Sequence, residues 1–146
     1  MKNSLPARIL LVDDNRDGLL IRRSLLEEQG YSVEVAPGGE EGFELFQASP
    51  FDVLVTDYRM PRMNGVDLIR RIREIAVGAR IILLSGFVEP LGLTEANTGA
   101  DAVIAKSANE PTHLLRAVKR LLNPGRVKRK PPTSQPGSPR LRSAVR

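Results

Sequence analysis

Hydrophobic residues along the chain follow two alternating spacings. Short segments that are mostly apolar, or that alternate apolar with polar residues, occupy 8–13, 31–35, 52–57, 80–85 and 102–105. Between and after them, apolar residues recur every three to four positions over 15–29, 39–48, 65–76, 87–99 and 114–122. The first spacing is typical of β-strands and the second of amphipathic helices. The pattern predicts five strands alternating with five helices, the fourth helix being weakened by Pro90 and Gly92.

Two of the predicted helices carry clear apolar stripes. The residues at helical spacing are Leu19, Leu20, Leu25 and Leu26 in the first helix, and Leu68, Ile69, Ile72 and Ile75 in the third. Residues at this spacing fall on one face of a helix. We therefore expect both sets to pack against the strands.

Strict alternation of strands and helices predicts a parallel sheet, because parallel neighbours need a crossover connection that is usually a helix. The predicted fold class is α/β, with a doubly wound five-stranded parallel sheet. The apolar run at 80–85 indicates a strand buried on both faces, whereas the alternation at 31–35 indicates a half-exposed edge strand. Ligands of such sheets bind beyond the carboxyl ends of the strands. The residues that end each strand are therefore the candidates for function.

Polar side chains end four of the five predicted strands. Asp13 and Asp14 end the first, Asp57 the third, Ser85 the fourth and Lys106 the fifth. Taken singly, each has an ordinary explanation, since Asp and Ser are common in turns and helix caps. If the strands lie side by side, however, all five side chains converge on one pocket. Their joint occurrence in one alternating pattern favours a chemical role.

Three neighbouring carboxylates repel one another and need a compensating charge. Mg²⁺ is a hard cation that commonly takes one or two carboxylates together with phosphate oxygens. The Lys106 ammonium is suited to a phosphoryl oxygen, and Ser85 can donate a hydrogen bond to another. The set predicts that Asp57 becomes phosphorylated, while Mg²⁺ and Lys106 neutralise the charge on the transferring group.

Four segments at these strand ends resemble the receiver domain of two-component response regulators. They are ILLVDDN (9–15), DVLVTDYRMPRMNG (52–65), IILLSG (81–86) and GADAVIAK (99–106). The resemblance extends over about 7–123, so we expect a receiver domain of the stand-alone type at 1–123. It implies a flavodoxin-like (βα)5 fold with strand order 2-1-3-4-5. It also implies a phosphoacceptor switch that catalyses only its own phosphorylation and dephosphorylation and is therefore not an enzyme.

By this resemblance, Asp57 is the phosphoacceptor. It would take the phosphoryl group from the phosphohistidine of a histidine kinase or of a histidine phosphotransfer protein. Asp14 and Asp57 would ligate Mg²⁺ together with the backbone carbonyl of Arg59, with Mn²⁺ able to substitute. Asp13 would help to hold the ion through water.

The resemblance also assigns roles to Ser85 and Lys106, which would bind the phosphoryl oxygens and couple phosphorylation to a shift of the fourth helix, fifth strand and fifth helix. The phosphorylated form would thereby change its binding of an output protein. That output protein is not identified by the sequence. In this family the lysine is usually followed by proline, often with a cis peptide bond, whereas Ser107 follows it here. A cis bond before a residue other than proline costs about 3–4 kcal/mol. The peptide bond between Lys106 and Ser107 is therefore either trans, or cis and held by other interactions.

The charge of the chain is divided between two regions. Of the net charge of +5, the tail at 124–146 contributes seven Lys and Arg residues and no acid, which leaves 1–123 at −2. This tail is rich in Pro and Ser, and we expect it to be disordered. It would bind nucleic acid or another acidic partner only through charge and without sequence specificity. A solvated tail without a partner is the interpretation that we favour.

Composition excludes several other classes of protein. The absence of cysteine excludes disulfides, thiolate metal sites and a cysteine nucleophile. No apolar segment has the length of a membrane span or of a signal-peptide core, so we expect a cytoplasmic protein without membrane contact.

Two rival functions remain for the acidic strand ends. An aspartate-nucleophile phosphatase also uses a strand-end Asp and Mg²⁺, but that class has two aspartates separated by one residue after the first strand. Asp13 and Asp14 are adjacent, which argues against it. A receiver-like scaffold without phosphorylation is the other rival, and the complete set of acids argues against that.

Overall fold

Five parallel strands form the centre of the structure, which is a computed structural model that describes residues 5–86 and 91–123. The strands are β1 (Arg8–Val12), β2 (Ser32–Ala36), β3 (Val53–Asp57), β4 (Ile81–Ser85) and β5 (Ala102–Ala105). Their order in the sheet is β2-β1-β3-β4-β5, and every neighbouring pair is parallel. The predicted fold class and strand order are confirmed. The predicted disorder of 124–146 concerns residues outside the described part of the chain.

Helices cover both faces of the sheet. They are α1 (Arg16–Glu28), α2 (Gly39–Ala48), α3 (Gly65–Ile75), α4 (Glu95–Thr98) and α5 (Glu110–Leu122). Helices α1 and α5 pack on one face, and α2 and α3 on the other, each over its own cluster of buried apolar residues. In the segment predicted as the fourth helix, residues 87–90 lie outside the described part and α4 is a single turn. No helix in the described ranges is long and apolar enough to cross a membrane.

The apolar stripes of α1 and α3 differ from prediction at two positions. Leu20 is 47% exposed and Ile75 is 51% exposed, so neither lies in the core. In α1, the stripe between the buried residues Leu19 and Leu26 is completed by Arg22, whose side chain is only 13% exposed. Helical geometry explains this, because position 22 lies on the same face as 19 and 26 whereas position 20 is turned away from them.

The sheet register brings the ends of the central strands level with one another. Val12 lies opposite Thr56, so Asp13 and Asp57 leave neighbouring strands at the same height. On the other side of the site, Ser85 lies opposite Ala105, the residue that precedes Lys106. The polar residues predicted at the strand ends therefore share one edge of the sheet.

The start of α3 lies directly against the end of β3. The Gly65 amide donates a hydrogen bond to the Tyr58 carbonyl oxygen at 2.8 Å. A Cβ at position 65 would lie well under 3.0 Å from the Asp57 carbonyl oxygen and from a methyl group of Leu83. Because the Asp57 carbonyl is part of the backbone, it has no room to move aside. Glycine is therefore required where the chain returns to Asp57.

We expect Gly65→Ala to lower the free energy of unfolding by about 2–3 kcal/mol, because the added methyl group overpacks a backbone contact. Urea denaturation measures the change. Gly78→Ala is the matched control, since a Cβ there meets no atom within 4 Å, and its effect should stay within about 1 kcal/mol. Equal stabilities of the two variants would contradict the requirement for glycine at position 65.

Candidate functional site

Three carboxylates meet at the carboxyl ends of β1 and β3. Asp13, Asp14 and Asp57 each place a carboxylate oxygen within 4.8 Å of the others. Asp13 and Asp57 are buried, whereas Asp14 is exposed to solvent. This acid cluster arises because β1 and β3 are adjacent in the sheet and end at the same height.

The acid cluster lies in an open cleft of about 490 Å³. The residues that line this cleft are Asp13, Asp14, Asn15, Asp57, Arg59, Met60, Pro61, Ser85, Gly86 and Lys106. All the residues that the sequence nominated are among them. The structure thus brings the nominated residues together, with the largely buried Asp57 carboxylate in the wall of the cleft.

Lys106 reaches the acid cluster from the end of β5. Its ammonium group forms an ion pair with the buried Asp57 Oδ1. Apart from it, no hydrogen-bond donor in the described part of the chain reaches this oxygen. The backbone amide of Lys106 donates to the Ser85 carbonyl oxygen at 2.9 Å. No peptide bond within the described ranges is cis, so the bond between Lys106 and Ser107 is trans.

The acid cluster retains an excess of negative charge in spite of Lys106. Burial raises the pKa of Asp57, and the neighbouring Asp13 carboxylate raises it further. The contact with Lys106 and the nearby Arg22 guanidinium lower the pKa of Asp57 but do not reverse the shift. Close carboxylate oxygens that are short of positive charge are suited to a hard divalent cation such as Mg²⁺.

Sequence reasoning missed two residues that support this cluster, Arg22 and Glu110. Arg22 donates from Nη1 to Asp13 Oδ2 at 3.0 Å. It also donates from Nε and Nη2 to the two carboxylate oxygens of Glu110, at 2.9 and 3.0 Å. The sequence did contain a signal for Arg22, namely a charged residue on the buried stripe of α1 between Leu19 and Leu26. Glu110 had no such signal, since it lies 88 positions from Arg22 along the chain.

Arg22 acts as a permanent positive charge at the back of the cluster. Burial by itself lowers the pKa of Arg22, but the carboxylates of Glu110, Asp13 and Asp57 more than offset this and raise the pKa above its ordinary value. The guanidinium therefore stays charged while it is largely enclosed by protein.

Residues 9–119 match the family described as response regulator receiver domain. The chain belongs to this family. The resemblance seen in the sequence is therefore confirmed. A receiver domain is a phosphoacceptor module of two-component signalling rather than an enzyme, and it implies a cognate histidine kinase.

Relatives of this receiver domain include both short and long proteins. The response regulator receiver protein CpdR of Brucella abortus is 35% identical over 107 residues, which cover 73% of this chain and 87% of CpdR. The gliding motility regulatory protein of Myxococcus xanthus is 35% identical over 117 residues, or 78% of this chain, but the chain spans only 15% of that protein. Likewise, the chain spans 44% of a response regulator receiver protein of Anaeromyxobacter.

Solved structures of receiver domains share the same fold. The response regulator protein TrrA from Thermotoga maritima, in complex with Mg²⁺-BeF, is 32% identical and has a TM-score of 0.73. The match covers 80% of this chain and 99% of that of TrrA. A CheY-like receiver domain protein from Methanospirillum hungatei is also 32% identical, with a TM-score of 0.75 over 82% of this chain and 95% of its own.

We expect Asp57→Asn to raise the melting temperature by a few degrees at neutral pH without Mg²⁺. The raised pKa of Asp57 means that its ionised form is less stable in the folded protein than in the unfolded chain, whereas a neutral amide has no such cost. The difference should shrink as the pH falls through the folded-state pKa of Asp57, because the wild-type carboxyl then takes up its proton. Thermal denaturation in a chelator, followed by circular dichroism, measures both effects.

Adding Mg²⁺ should stabilise the wild type, since a ligand that binds only the folded state raises its stability, and should stabilise Asp57→Asn much less. The control is Asp17→Asn, which changes an exposed acid of α1 and should respond to Mg²⁺ as the wild type does. A lower melting temperature for Asp57→Asn in chelator, or equal stabilisation of both proteins by Mg²⁺, would contradict the argument that the ionised Asp57 is destabilising until a cation binds.

Proposed function

We propose that this receiver domain is the phosphoacceptor switch of a two-component phosphorelay, with Asp57 as the residue that becomes phosphorylated. One observation carries the proposal. The Asp57 carboxylate lies in an open cleft, paired with the Lys106 ammonium and within 4.8 Å of two further carboxylates. The donor of the phosphoryl group would be the phosphohistidine of a histidine kinase or of a histidine phosphotransfer protein.

The donor set of the cleft fits Mg²⁺. Asp14, Asp57 and the backbone carbonyl of Arg59 would be its protein ligands, Asp13 would hold it through water, and Mn²⁺ would be able to substitute. When bound, the ion supplies positive charge beside the transferring phosphoryl group. The structure of TrrA, a relative with the same fold, is a complex with Mg²⁺-BeF, which supports the binding of a divalent cation by this fold.

The side chains of the cleft have distinct parts in the transfer. An oxygen of the Asp57 carboxylate attacks the phosphorus and forms the new O–P bond. The N–P bond of the phosphohistidine breaks, its electron pair stays on the imidazole nitrogen, and that nitrogen takes up a proton from solvent. The Lys106 ammonium and the Ser85 hydroxyl contact the phosphoryl oxygens, where negative charge accumulates.

Phosphorylation of Asp57 would change what Lys106 contacts. Its present partner is a carboxylate oxygen of Asp57, and the new partner would be a phosphoryl oxygen farther out in the cleft. The Lys106 amide donates a hydrogen bond to the Ser85 carbonyl oxygen, so a shift at the end of β5 would be transmitted to the end of β4. We propose that the altered surface near the ends of β4 and β5 changes the binding of an output protein.

Incubation with an acyl phosphate or a phosphoramidate and Mg²⁺ should add the mass of one phosphoryl group to the protein. Asp57→Asn should abolish the addition because the nucleophile is lost. Lys106→Met should slow it by roughly 100-fold, which is the usual effect of removing one charge-stabilising donor. Intact-mass spectrometry over time measures both rates.

Two variants control for the removal of charge as such. Asp17→Asn and Lys119→Met change exposed residues of α1 and α5 and should be phosphorylated at the wild-type rate. Phosphorylation of Asp57→Asn at an unchanged rate would refute the proposal. Sustained hydrolysis of simple phosphomonoesters by the wild type would instead favour the phosphatase.

A further inference from the structure

The loop between β5 and α5, residues 106–109, is fastened to the acid cluster at both ends. At its start, Lys106 is paired with Asp57. Immediately after its end, the Glu110 carboxylate is bound by both Nε and Nη2 of Arg22, whose Nη1 is bound to Asp13. Lys106 therefore joins the start of the loop to Asp57, and Arg22 joins Glu110, at its end, to Asp13.

The loop is short and braced from within, so its two ends move together. The Glu110 amide donates to the Ser107 carbonyl oxygen at 3.1 Å. The Asn109 amide donates to Ser107 Oγ at 3.2 Å. Only three residues separate Lys106 from Glu110, and a displacement of Glu110 would therefore change the position of Lys106.

The pair of Arg22 and Glu110 is enclosed by protein. Their side chains are 13% and 11% exposed, and that of Asp13 is 4% exposed. Buried ion pairs with two parallel hydrogen bonds have a well-defined geometry. Both oxygens of Asp13 are thereby occupied, Oδ2 by Arg22 and Oδ1 by the Asn15 amide at 3.0 Å. The orientation of this carboxylate is therefore fixed.

The charges of Arg22 and Glu110 also cancel. Arg22 alone would add a positive charge beside Asp13 and weaken the attraction of the cluster for a cation. Glu110 restores the negative charge, so the pair can hold Asp13 while the cluster keeps its attraction for a cation. An ion pair achieves both effects, whereas a lone arginine would not.

We propose that Arg22 and Glu110 are positioning residues for the cation and phosphoryl site, because they tie the loop after β5 to Asp13 and so fix Lys106 relative to Asp57. This inference rests on the proposed function of the same site. Neither residue lines the cleft, so they act on the site through Asp13 and Lys106 and through their charges.

The test is the double variant Arg22→Met/Glu110→Met, which leaves the net charge unchanged and avoids stranding one buried charge. We expect its Mg²⁺ affinity to fall roughly tenfold, as is usual when a group that holds a metal-ligating side chain is removed. Its rate of phosphorylation by an acyl phosphate at saturating Mg²⁺ should fall by a similar factor, roughly tenfold, because Lys106 is no longer held. Isothermal titration calorimetry and intact-mass spectrometry give the two values.

The matched control is Arg8→Met/Glu34→Met. Arg8 and Glu34 also form an ion pair, with 2.6 Å between Nη2 and Oε2, but Arg8 starts β1 whereas the cluster follows its end. This variant should keep the wild-type Mg²⁺ affinity and rate. If the folded Arg22→Met/Glu110→Met protein keeps them too, or if the control loses them equally, the inference is wrong.

If the double variant does not fold, Glu110→Ala alone removes the tether and should lower the rate at saturating Mg²⁺, and an unchanged rate would refute the inference. Glu110→Gln separates charge from tethering. Its amide oxygen still accepts a hydrogen bond from Arg22, so the rate at saturating Mg²⁺ should stay near that of the wild type. Its Mg²⁺ affinity should fall by about threefold, because the charge of Arg22 is no longer balanced. Unchanged Mg²⁺ affinity of Glu110→Gln would refute the argument that Glu110 balances the charge of Arg22. Failure of the wild type itself to bind Mg²⁺ or become phosphorylated would instead refute the proposed function.

Discussion

Mutual repulsion of carboxylates at the ends of β1 and β3 is the constraint on which the rest of the site depends. The parallel sheet brings Asp13 and Asp57 level with each other, and Asp14 lies beside them. Lys106 offsets part of this charge in the cleft, yet the pKa of Asp57 is raised, first by burial and then by the neighbouring Asp13 carboxylate. The fold therefore tolerates a cost in stability at the place where a cation and a phosphoryl group would bring new interactions.

The groups of the site differ in how firmly the fold holds them. Asp57 belongs to a fully buried strand, and the close approach of Gly65 fixes the backbone that follows it. Lys106 stands at the start of a loop, where the packing of the sheet alone would leave it more freedom. The buried bridge from Glu110 to Arg22 compensates for this by anchoring the far end of that loop. The bridge connects α5 to α1 and, through Asp13, to the acid cluster.

Much of this could be predicted from the sequence, because strand and helix periodicities are local properties. The alternation of elements led to the parallel sheet, and the rule that ligands bind at strand ends led to the residues of the cleft. The strand order and the detailed roles came from the family resemblance. Predictions were wrong where a local pattern allowed more than one orientation. Leu20 and Ile75 fit the helical spacing but are half exposed, and Arg22, which was not assigned to the stripe, lies on its buried side between Leu19 and Leu26.

The sequence by itself determined which chemical groups end the strands and therefore what kind of ligand the site suits. Only the tertiary structure decided how the charges of those groups are balanced. Electrostatic interaction depends on distance through space and on burial. Arg22 and Glu110 are 88 positions apart along the chain, yet their atoms are within hydrogen-bonding distance in the folded protein. No spacing in the sequence connects them, and their pairing arises only when α1 and α5 pack on the same face of the sheet.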